Sequence, residues 1–238
     1  MEYGAARALE GRLVAARKAS AVPDVLLLCE HPHVITQGRN GRREHLLASP
    51  RVLAQMGVAY FETNRGGDIT YHGPGQLVGY PILDLSEIRR DVGWYIQNLE
   101  EAMIRATREY GIRAVRLQGK TGVWVGDEGA PEEKLAAIGV HLSRWVTSHG
   151  FAYNVATDLR YFDLIVPCGL AGRKATSLEK LTGRQVSVRE VAARVTERLG
   201  ETLGLEMRPG KPEELAERLR EFENGPAKTG AREVAAMA

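Results

Sequence analysis

The sequence has little of the features that mark several large classes of protein. Only 6% of its 238 residues are aromatic, two are cysteine, and 32 Lys and Arg nearly balance 30 Asp and Glu. This balance excludes a strongly basic nucleic-acid coat protein, so no nucleic-acid partner is expected. No apolar run approaches the ~18 residues of a membrane span, and the N-terminus lacks the apolar segment of a secretory signal. We therefore expect a cytoplasmic enzyme with no membrane partner.

The two cysteines lie far apart in the sequence and are interpreted as separate thiols. Cys29 ends the apolar run VLLLC, which is typical of a buried structural cysteine. Cys168 stands between a proline and a glycine in a predicted turn and is the candidate reactive thiol. Arg173 and Lys174 follow closely and would favour its thiolate form. The six histidines form no H-x-x-x-H pair and the chain has no C-x-x-C pair, so neither a metal nor a cofactor is expected.

Apolar periodicity predicts helices interspersed with strands. Helices are expected in the N-terminal segment before Pro23, over 92–110 and over 186–204, where Ser187 and Glu190 form a capping box. The predicted strands are 25–29, 58–63, 75–85, 113–118, 122–126 and 135–147. The first of them is apolar on both faces, which favours a place inside a sheet rather than at its edge.

Several of these strands follow one another through short turns. This order favours an α+β fold, with a mixed β-sheet flanked by helices, over a doubly wound parallel sheet. The composition shifts near residue 206. We therefore divide the chain into a main domain, residues 1–205, and a C-terminal helical extension with a loose tail, residues 206–238.

The run RGGDITYHGPGQ (65–76) contains four glycines among its twelve residues. Composition alone fits a tight turn between two strands equally well. The run has neither the G-x-G-x-x-G spacing of a dinucleotide site nor the closing Gly-Lys-Ser/Thr of a P-loop. Because glycine lets a backbone approach a ligand closely, a glycine-walled binding loop that carries Arg65 and His72 is the functional interpretation.

The apolar segment KLAAIGV begins with a lysine, Lys134. It could be a solvated lysine that pairs with Glu132 or Glu133, and in isolation this interpretation is favoured. A catalytic role would need a partner that benefits from a nearby ammonium group. A cysteine nucleophile is such a partner, because a cation lowers the pKa of a thiol from about 8.5.

Three segments together resemble the sequence blocks of lipoyl(octanoyl) transferases. They are RGGDITYHGPGQLVGYPILDL (65–85), KLAAIGVHLSRWVTSHGFAYNV (134–155) and YFDLIVPCGLAGRKATSLE (161–179). The segment LLLCEHPHVITQGRN (26–40) matches the upstream block more loosely. The resemblance follows the family's order from about residue 1 to 205, which it identifies as an octanoyltransferase catalytic domain. Cys29 stands where the family usually has an aliphatic residue, and His141 where a longer basic residue is common.

The resemblance implies transfer of an octanoyl (or lipoyl) group from acyl carrier protein to a specific lysine of lipoyl domains. The acceptors would be lipoyl domains of 2-oxoacid dehydrogenase complexes and the glycine cleavage H protein. The fold would be that of biotin and lipoate protein ligases, and a monomer is expected. Cys168 would carry the acyl thioester, and Lys134 would lower the pKa of its thiol. The substrate-binding positions would be Arg65, Gly66, Gly67, Asp68, Ile69, Thr70, Tyr71, His72, Ala137, Ile138, Gly139, Gly150, Phe151 and Ala152.

Three other functions compete with this one. An ATP-dependent lipoate or biotin ligase of the same fold would not need Cys168 and would require a nucleotide-phosphate loop, which the sequence does not show. A cysteine-dependent thioesterase would release the acyl group to water. A catalytically inactive homologue would bind lipoyl domains without reacting, and the presence of both Cys168 and Lys134 argues against it.

Overall fold

The computed structural model describes residues 1–126, 133–166 and 174–225. The predicted α+β fold is confirmed: nine strands and seven α-helices lie within these residues. The helices are α1 (Tyr3–Lys18), α2 (Pro50–Gln55), α3 (Leu85–Ile88), α4 (Val92–Arg108), α5 (Leu178–Thr182), α6 (Val188–Leu203) and α7 (Pro212–Asn224). The strands are β1 (Val25–Cys29), β2 (Val34–Gln37), β3 (Ala59–Glu62), β4 (Ile69–His72), β5 (Gln76–Ile82), β6 (Ala114–Leu117), β7 (Lys120–Val125), β8 (Glu133–Ser143) and β9 (Val146–Asn154).

Six strands form an antiparallel sheet in the order β1-β5-β9-β8-β7-β6. Helices α4 and α6 cover one face of this sheet, and their apolar side chains join the main core. Helix α1 covers part of the other face and α7 packs against α1; apolar residues of both helices form a second core with Val78, Tyr80 and Ala152. Because side chains alternate along a strand, β5 and β9 contribute to both cores.

The other three strands form a smaller sheet in the order β3-β2-β4. Strands β2 and β3 pair in parallel, whereas β2 and β4 pair antiparallel, so this is the mixed sheet of the fold. Its own apolar core contains Ile35, Ile69 and Tyr71. The small sheet thus places the second half of the glycine-rich run, as β4, above the large sheet.

Two strand predictions were wrong. Strand β1 is an edge strand and not an inner one, because its apolar side chains pack against both cores without a second neighbouring strand. The segment 135–147 is not one strand but the end of one and the start of the next. Arg144 and Trp145 turn the chain back with positive φ angles of 53° and 66°. Such a two-residue turn usually contains Asn or Gly, and the sequence therefore gives no turn signal here.

The predicted capping box of α6 is also absent. Ser187 occupies the N-cap position, but its side chain makes no capping hydrogen bond. The Glu190 carboxylate instead accepts hydrogen bonds from Arg194, one turn further along the helix. A glutamate at this position can bond either to the backbone N–H of the N-cap residue or to an arginine one turn later. The sequence pattern alone does not decide between these two partners.

Candidate active site

A pocket of about 360 Å³, counted with its part open to solvent, lies between the large sheet, the small sheet and α1. Its floor is formed by small residues of β8 and β9 and by two residues of β5. Its other walls come from the glycine-rich run and from α1. The lining residues are Tyr3, Arg65, Thr70, His72, Val78, Tyr80, Ala137, Gly139, His149, Gly150, Phe151 and Ala152.

The floor follows the strand register across the sheet. Ala137 lies opposite Ala152, which in turn lies opposite Val78 of β5. Gly139 lies opposite Gly150 in the next row on the same face. Neighbouring strands are ~4.8 Å apart, so three strands give a slot about 10 Å long. Its small side chains near β8 and larger ones at β5 suit an extended apolar chain that enters from the β8 side.

Arg65 is buried in the pocket wall and holds the glycine-rich run in place. Its guanidinium donates hydrogen bonds to the backbone oxygen of Thr36 at 2.6 Å and to the Thr36 hydroxyl at 3.0 Å. It also donates to the backbone oxygen of Gly66 at 3.1 Å. The Gly66 N–H donates to the oxygen of Val140 on β8 at 2.9 Å, which joins the run to the pocket floor.

Strand alternation divides the second half of the run. Thr70 and His72 line the pocket, whereas Ile69 and Tyr71 point into the core of the small sheet. Four of the other predicted substrate positions have a different setting. Ile138 packs against the main core on the helical face of β8. Gly66, Gly67 and Asp68 lie in the loop beside the pocket and are not among its lining residues.

Asp68 and Gly67 connect this loop to the preceding basic segment. The Asp68 carboxylate is 2.5 Å from Nδ1 of His45, and the Gly67 oxygen accepts a hydrogen bond from the Asn40 N–H at 3.1 Å. Gly67 has a φ of +83°, which an L-residue with a side chain rarely adopts. The loop is therefore fixed by backbone contacts that need glycine.

Two buried histidines in the pocket wall are neutral. Burial, reinforced by the charge of Arg65, lowers the pKa of His72 to about 3. Burial, reinforced by Arg7 and Arg65, lowers the pKa of His149 to about 3. Nδ1 of His72 lies 2.7 Å from the Gln76 side-chain oxygen, and Nε2 of His149 lies 2.8 Å from that of Asn64. These contacts orient both rings without a charge.

Sequence patterns did not indicate four of the lining residues as parts of a substrate site. Tyr3 is only 4% exposed, and its ring stacks on that of His72 with centroids 6.2 Å apart. Val78 and Tyr80 lie in an apolar strand that looks like ordinary core, and His149 is an isolated histidine in the sequence. Their role in the pocket depends on the register of β5 with β9 and on where α1 crosses the sheet, which no local motif encodes.

Lys134 lies near the start of β8, three residues before Ala137 of the pocket floor. Its N–H donates to the Lys174 oxygen at 2.9 Å, and its oxygen accepts from the Thr176 N–H at 3.0 Å. Cys168 and Arg173 lie outside the described residues. The chain on their N-terminal side is also anchored, because the Val166 N–H donates to the His45 oxygen at 2.8 Å. The residues that flank the predicted nucleophile are thus bonded to Lys134 on one side and to His45, next to Asp68, on the other.

The other predicted thiol, Cys29, has the properties of a structural residue. Its Sγ lies 3.5 Å from Nε2 of His31. Burial raises the pKa of Cys29 to about 11, well above that of a free thiol. Among the residues described, no three His, Cys, Asp or Glu side chains form a group that could hold a metal ion. None of the described helices is long and apolar enough to cross a membrane.

Comparison with known proteins shows which family this chain belongs to. The family model of the lipoyl protein ligase A/B catalytic domain matches residues 2–200. An octanoyltransferase of Solibacter usitatus is 55% identical over 210 residues, which cover 88% of this chain and 92% of the relative. An octanoyltransferase of Caldicellulosiruptor saccharolyticus is 47% identical over 219 residues, which cover 91% of each chain.

Solved structures show the same fold at low sequence identity. A bipartite lipoate protein ligase from Thermoplasma acidophilum aligns with a TM-score of 0.68 at 16% identity, over 90% of this chain and 87% of the other. A lipoate-protein ligase A bound with ATP aligns with a TM-score of 0.67 at 17% identity, over 90% of each chain. These likenesses confirm the fold that the sequence resemblance implied.

Proposed function

Since this chain belongs to the family of lipoyl protein ligase A/B catalytic domains and catalyses octanoyl transfer in protein lipoylation, we propose that the acyl group passes through a thioester on Cys168. One structural observation carries the proposal. Lys134 is the second residue of β8, which forms part of the pocket floor, and its backbone is hydrogen-bonded to Lys174 and Thr176, a few residues after Cys168. A cation, an acyl-sized slot and the thiol-bearing segment are therefore linked through one strand.

In the first step the Cys168 thiolate attacks the carbonyl carbon of the donor thioester. A carbon–sulfur bond forms to Cys168 while the bond to the carrier sulfur breaks. The departing carrier thiolate takes a proton from the Lys134 ammonium. Donor and intermediate are both thioesters of similar free energy, so the step needs no nucleotide to activate the acyl group.

In the second step the amine of the acceptor lysine attacks the Cys168 thioester. The amide bond forms, and Cys168 leaves as a thiolate. Lys134, neutral after the first step, accepts the proton that the amine loses. The acceptor amine thus restores the proton that Lys134 gave to the carrier thiolate in the first step. The enzyme returns to its starting state.

The pocket would hold the octanoyl chain during both steps. The floor has room for a chain because its residues on β8 and β9 are small: Ala137, Gly139, Gly150 and Ala152. Val78 of β5 ends the row that begins with Ala137. Burying an apolar chain there contributes roughly 0.8 kcal/mol per methylene. The neutral His72 and His149 suit this use, because a charged imidazole beside an alkyl chain would be poorly solvated.

We further propose acyl carrier protein as the donor, and lipoyl domains of 2-oxoacid dehydrogenase complexes and the glycine cleavage H protein as acceptors. The segment 39–43 offers a basic surface to an acidic carrier. Arg39, Arg42 and Arg43 are exposed there, and the Arg39 N–H donates to the Arg65 oxygen at 3.0 Å. This surface therefore borders the glycine-rich loop directly. We also expect the chain to act in the cytoplasm, as a monomer.

One assay separates octanoyl transfer from its alternatives. Octanoyl-acyl carrier protein is incubated with a lipoyl domain and the enzyme without ATP, and every product is weighed by mass spectrometry. We expect octanoyl-lipoyl domain and free carrier. Transfer only with ATP would indicate a ligase, free octanoate would indicate a thioesterase, and binding without any product would indicate an inactive binding module.

A second measurement tests the intermediate itself. Enzyme treated with the donor alone should gain the mass of one octanoyl group. This adduct should be absent from Cys168→Ala and should persist in the matched control Cys29→Ala. An adduct on Cys29, or an active Cys168→Ala enzyme, would overturn the proposed route.

A further inference from the structure

Lys134 lies against the face of a buried tryptophan on the neighbouring strand. Its Nζ is 4.6 Å from the centroid of the Trp124 ring, within the range of a cation–π interaction. Trp124 is 1% exposed, and its indole N–H donates to the Lys120 oxygen at 3.1 Å. The two residues are also direct cross-strand partners of β7 and β8. The ring is therefore a fixed surface on which the ammonium group rests.

An irregularity in the pairing of β7 with β8 gives Lys134 this orientation. Val123 pairs with Ala136 and Trp124 pairs with Lys134, so Leu135 is an extra residue on β8. Strict alternation would place Lys134 on the face of Ala136, which belongs to the main core. The bulge shifts the alternation by one residue, and Lys134 then shares the face of Ala137 and Gly139. The pocket floor and the ammonium group thus lie on the same side of the sheet.

Two neighbours of Lys134 are consistent with this placement. The Cβ position of Gly122 lies 3.6 Å from Cε of Lys134, an ordinary van der Waals distance, so the lysine stem runs beside this residue of β7. Glu133, the nearest acid in the sequence that the structure describes, forms an ion pair with Lys180 at 2.8 Å. The described geometry therefore directs Lys134 along β7 towards the indole ring.

We propose that Trp124 is the positioning residue of Lys134 in acyl transfer, an inference that rests on the proposed role of Lys134. The indole face attracts the ammonium group through its quadrupole but carries no net charge. The ring therefore holds the ammonium group in place without itself neutralising its charge.

Fluorinated tryptophan tests this proposal without removing the buried ring. Fluorine atoms reduce the negative potential of the ring face and alter its shape little. The analogues are incorporated into Trp94→Phe/Trp145→Phe protein, where Trp124 is the only tryptophan left. With each added fluorine we expect a stepwise fall in the rate of Cys168 acylation, about 2- to 30-fold over the series, with an unchanged KM for the donor. The pH midpoint of Cys168 alkylation should rise in parallel.

Repeating the series in Lys134→Met separates a positioning role from a structural one. Methionine keeps an apolar stem without the charge, so fluorination should then have no effect on the remaining rate. If the rate falls equally in both backgrounds, or does not follow fluorine number when Lys134 is present, the role of Trp124 is disproved. A fully active Lys134→Met enzyme would instead disprove the proposed function of Lys134, so the two failures are distinguishable.

Discussion

Gly139 and Gly150 lie directly opposite each other on β8 and β9, in the floor of the pocket. A Cβ on Gly139 would lie 2.8 Å from the backbone oxygen of Gly66. A Cβ on Gly150 would meet the backbone oxygen of Gly79, and Cδ of Pro81 at 2.6 Å. Both positions require glycine for close backbone approach, so a methyl group at either would displace the backbone that surrounds the pocket.

We predict that Gly139→Ala and Gly150→Ala lower both stability and octanoyl transfer. Each methyl group must displace backbone, which typically costs about 1–3 kcal/mol of folding free energy. Gly139→Ala also pushes the Arg65 loop away from the floor and should raise the KM of the donor. Urea unfolding and steady-state kinetics measure the two effects.

Gly11→Ala is the matched control for these variants. Gly11 lies within α1, and a Cβ at this position would meet no atom within 4 Å. Alanine should stabilise the helix by about 0.5–1 kcal/mol and leave transfer unchanged. Wild-type kinetics in both pocket variants would show that the Gly139–Gly150 pair does not shape the acyl site.

Much of this architecture could be predicted from local sequence signals. Apolar periodicity predicted α1, α4 and α6 closely, because each helix has a continuous buried stripe. The glycine-rich run stood out because four glycines are poor core material; three of its residues line the pocket, and its role in binding stays a prediction. Residue types also separated the two thiols: Cys29 is only half-buried in β1, not fully buried as expected, whereas the role of Cys168 stays a prediction.

What the sequence did not reveal depends on pairing between distant strands. The Arg144–Trp145 turn has no turn-forming residues, so two strands were read as one. The bulge at Leu135 is visible only in the register of β7 with β8, although it decides which face carries Lys134. Tyr3 reaches the pocket only because α1 crosses the large sheet at this point.

We predict different pH dependences for alkylation of the two thiols. A nearby cation brings reactive thiols into a pKa range of about 3.5–7.5. Iodoacetamide should therefore modify Cys168 at pH 7. The pH midpoint of the alkylation rate should lie below the midpoint measured for the Lys134→Ala variant. Cys29, with its pKa raised to about 11 by burial, should remain unmodified in the native protein at pH 8. If the Cys168 alkylation curves of the wild type and of Lys134→Ala coincide near pH 8.5, Lys134 is an ordinary surface lysine.

Acid should weaken the fold through the two neutral pocket histidines. The native pKa values of His72 and His149 are about 3, below the unfolded value near 6.5. Folding therefore favours the uncharged form, and this stabilisation is complete above pH 6.5 and is lost as the pH falls towards 3. Each histidine should contribute a slope of about 1.4 kcal/mol per pH unit below 6.5.

Urea unfolding of His149→Gln at pH 7 and pH 5 measures this slope. Between these two values the free energy of unfolding of the wild type should fall by about 2 kcal/mol more than that of the variant. His72→Gln should give a similar difference, because its native pKa is also about 3. Equal losses in the wild type and both variants would mean that these histidines become protonated in the native state.

Docking of the donor should depend on the basic surface beside the glycine-rich loop. Arg42 and Arg43 are exposed, and the Arg42–Glu44 ion pair has both side chains 71% exposed, so neither arginine has a large role in the fold. We predict that Arg42→Glu with Arg43→Glu slows transfer from acyl carrier protein about ten-fold at low salt and flattens its salt dependence. Transfer from a small uncharged octanoyl thioester should not change, because the pocket is untouched.

The control variant is Arg218→Glu with Arg220→Glu, an equal charge change on exposed residues of α7. It should leave both rates near wild type. Equal losses with both donors would instead place Arg42 and Arg43 in support of the acyl pocket.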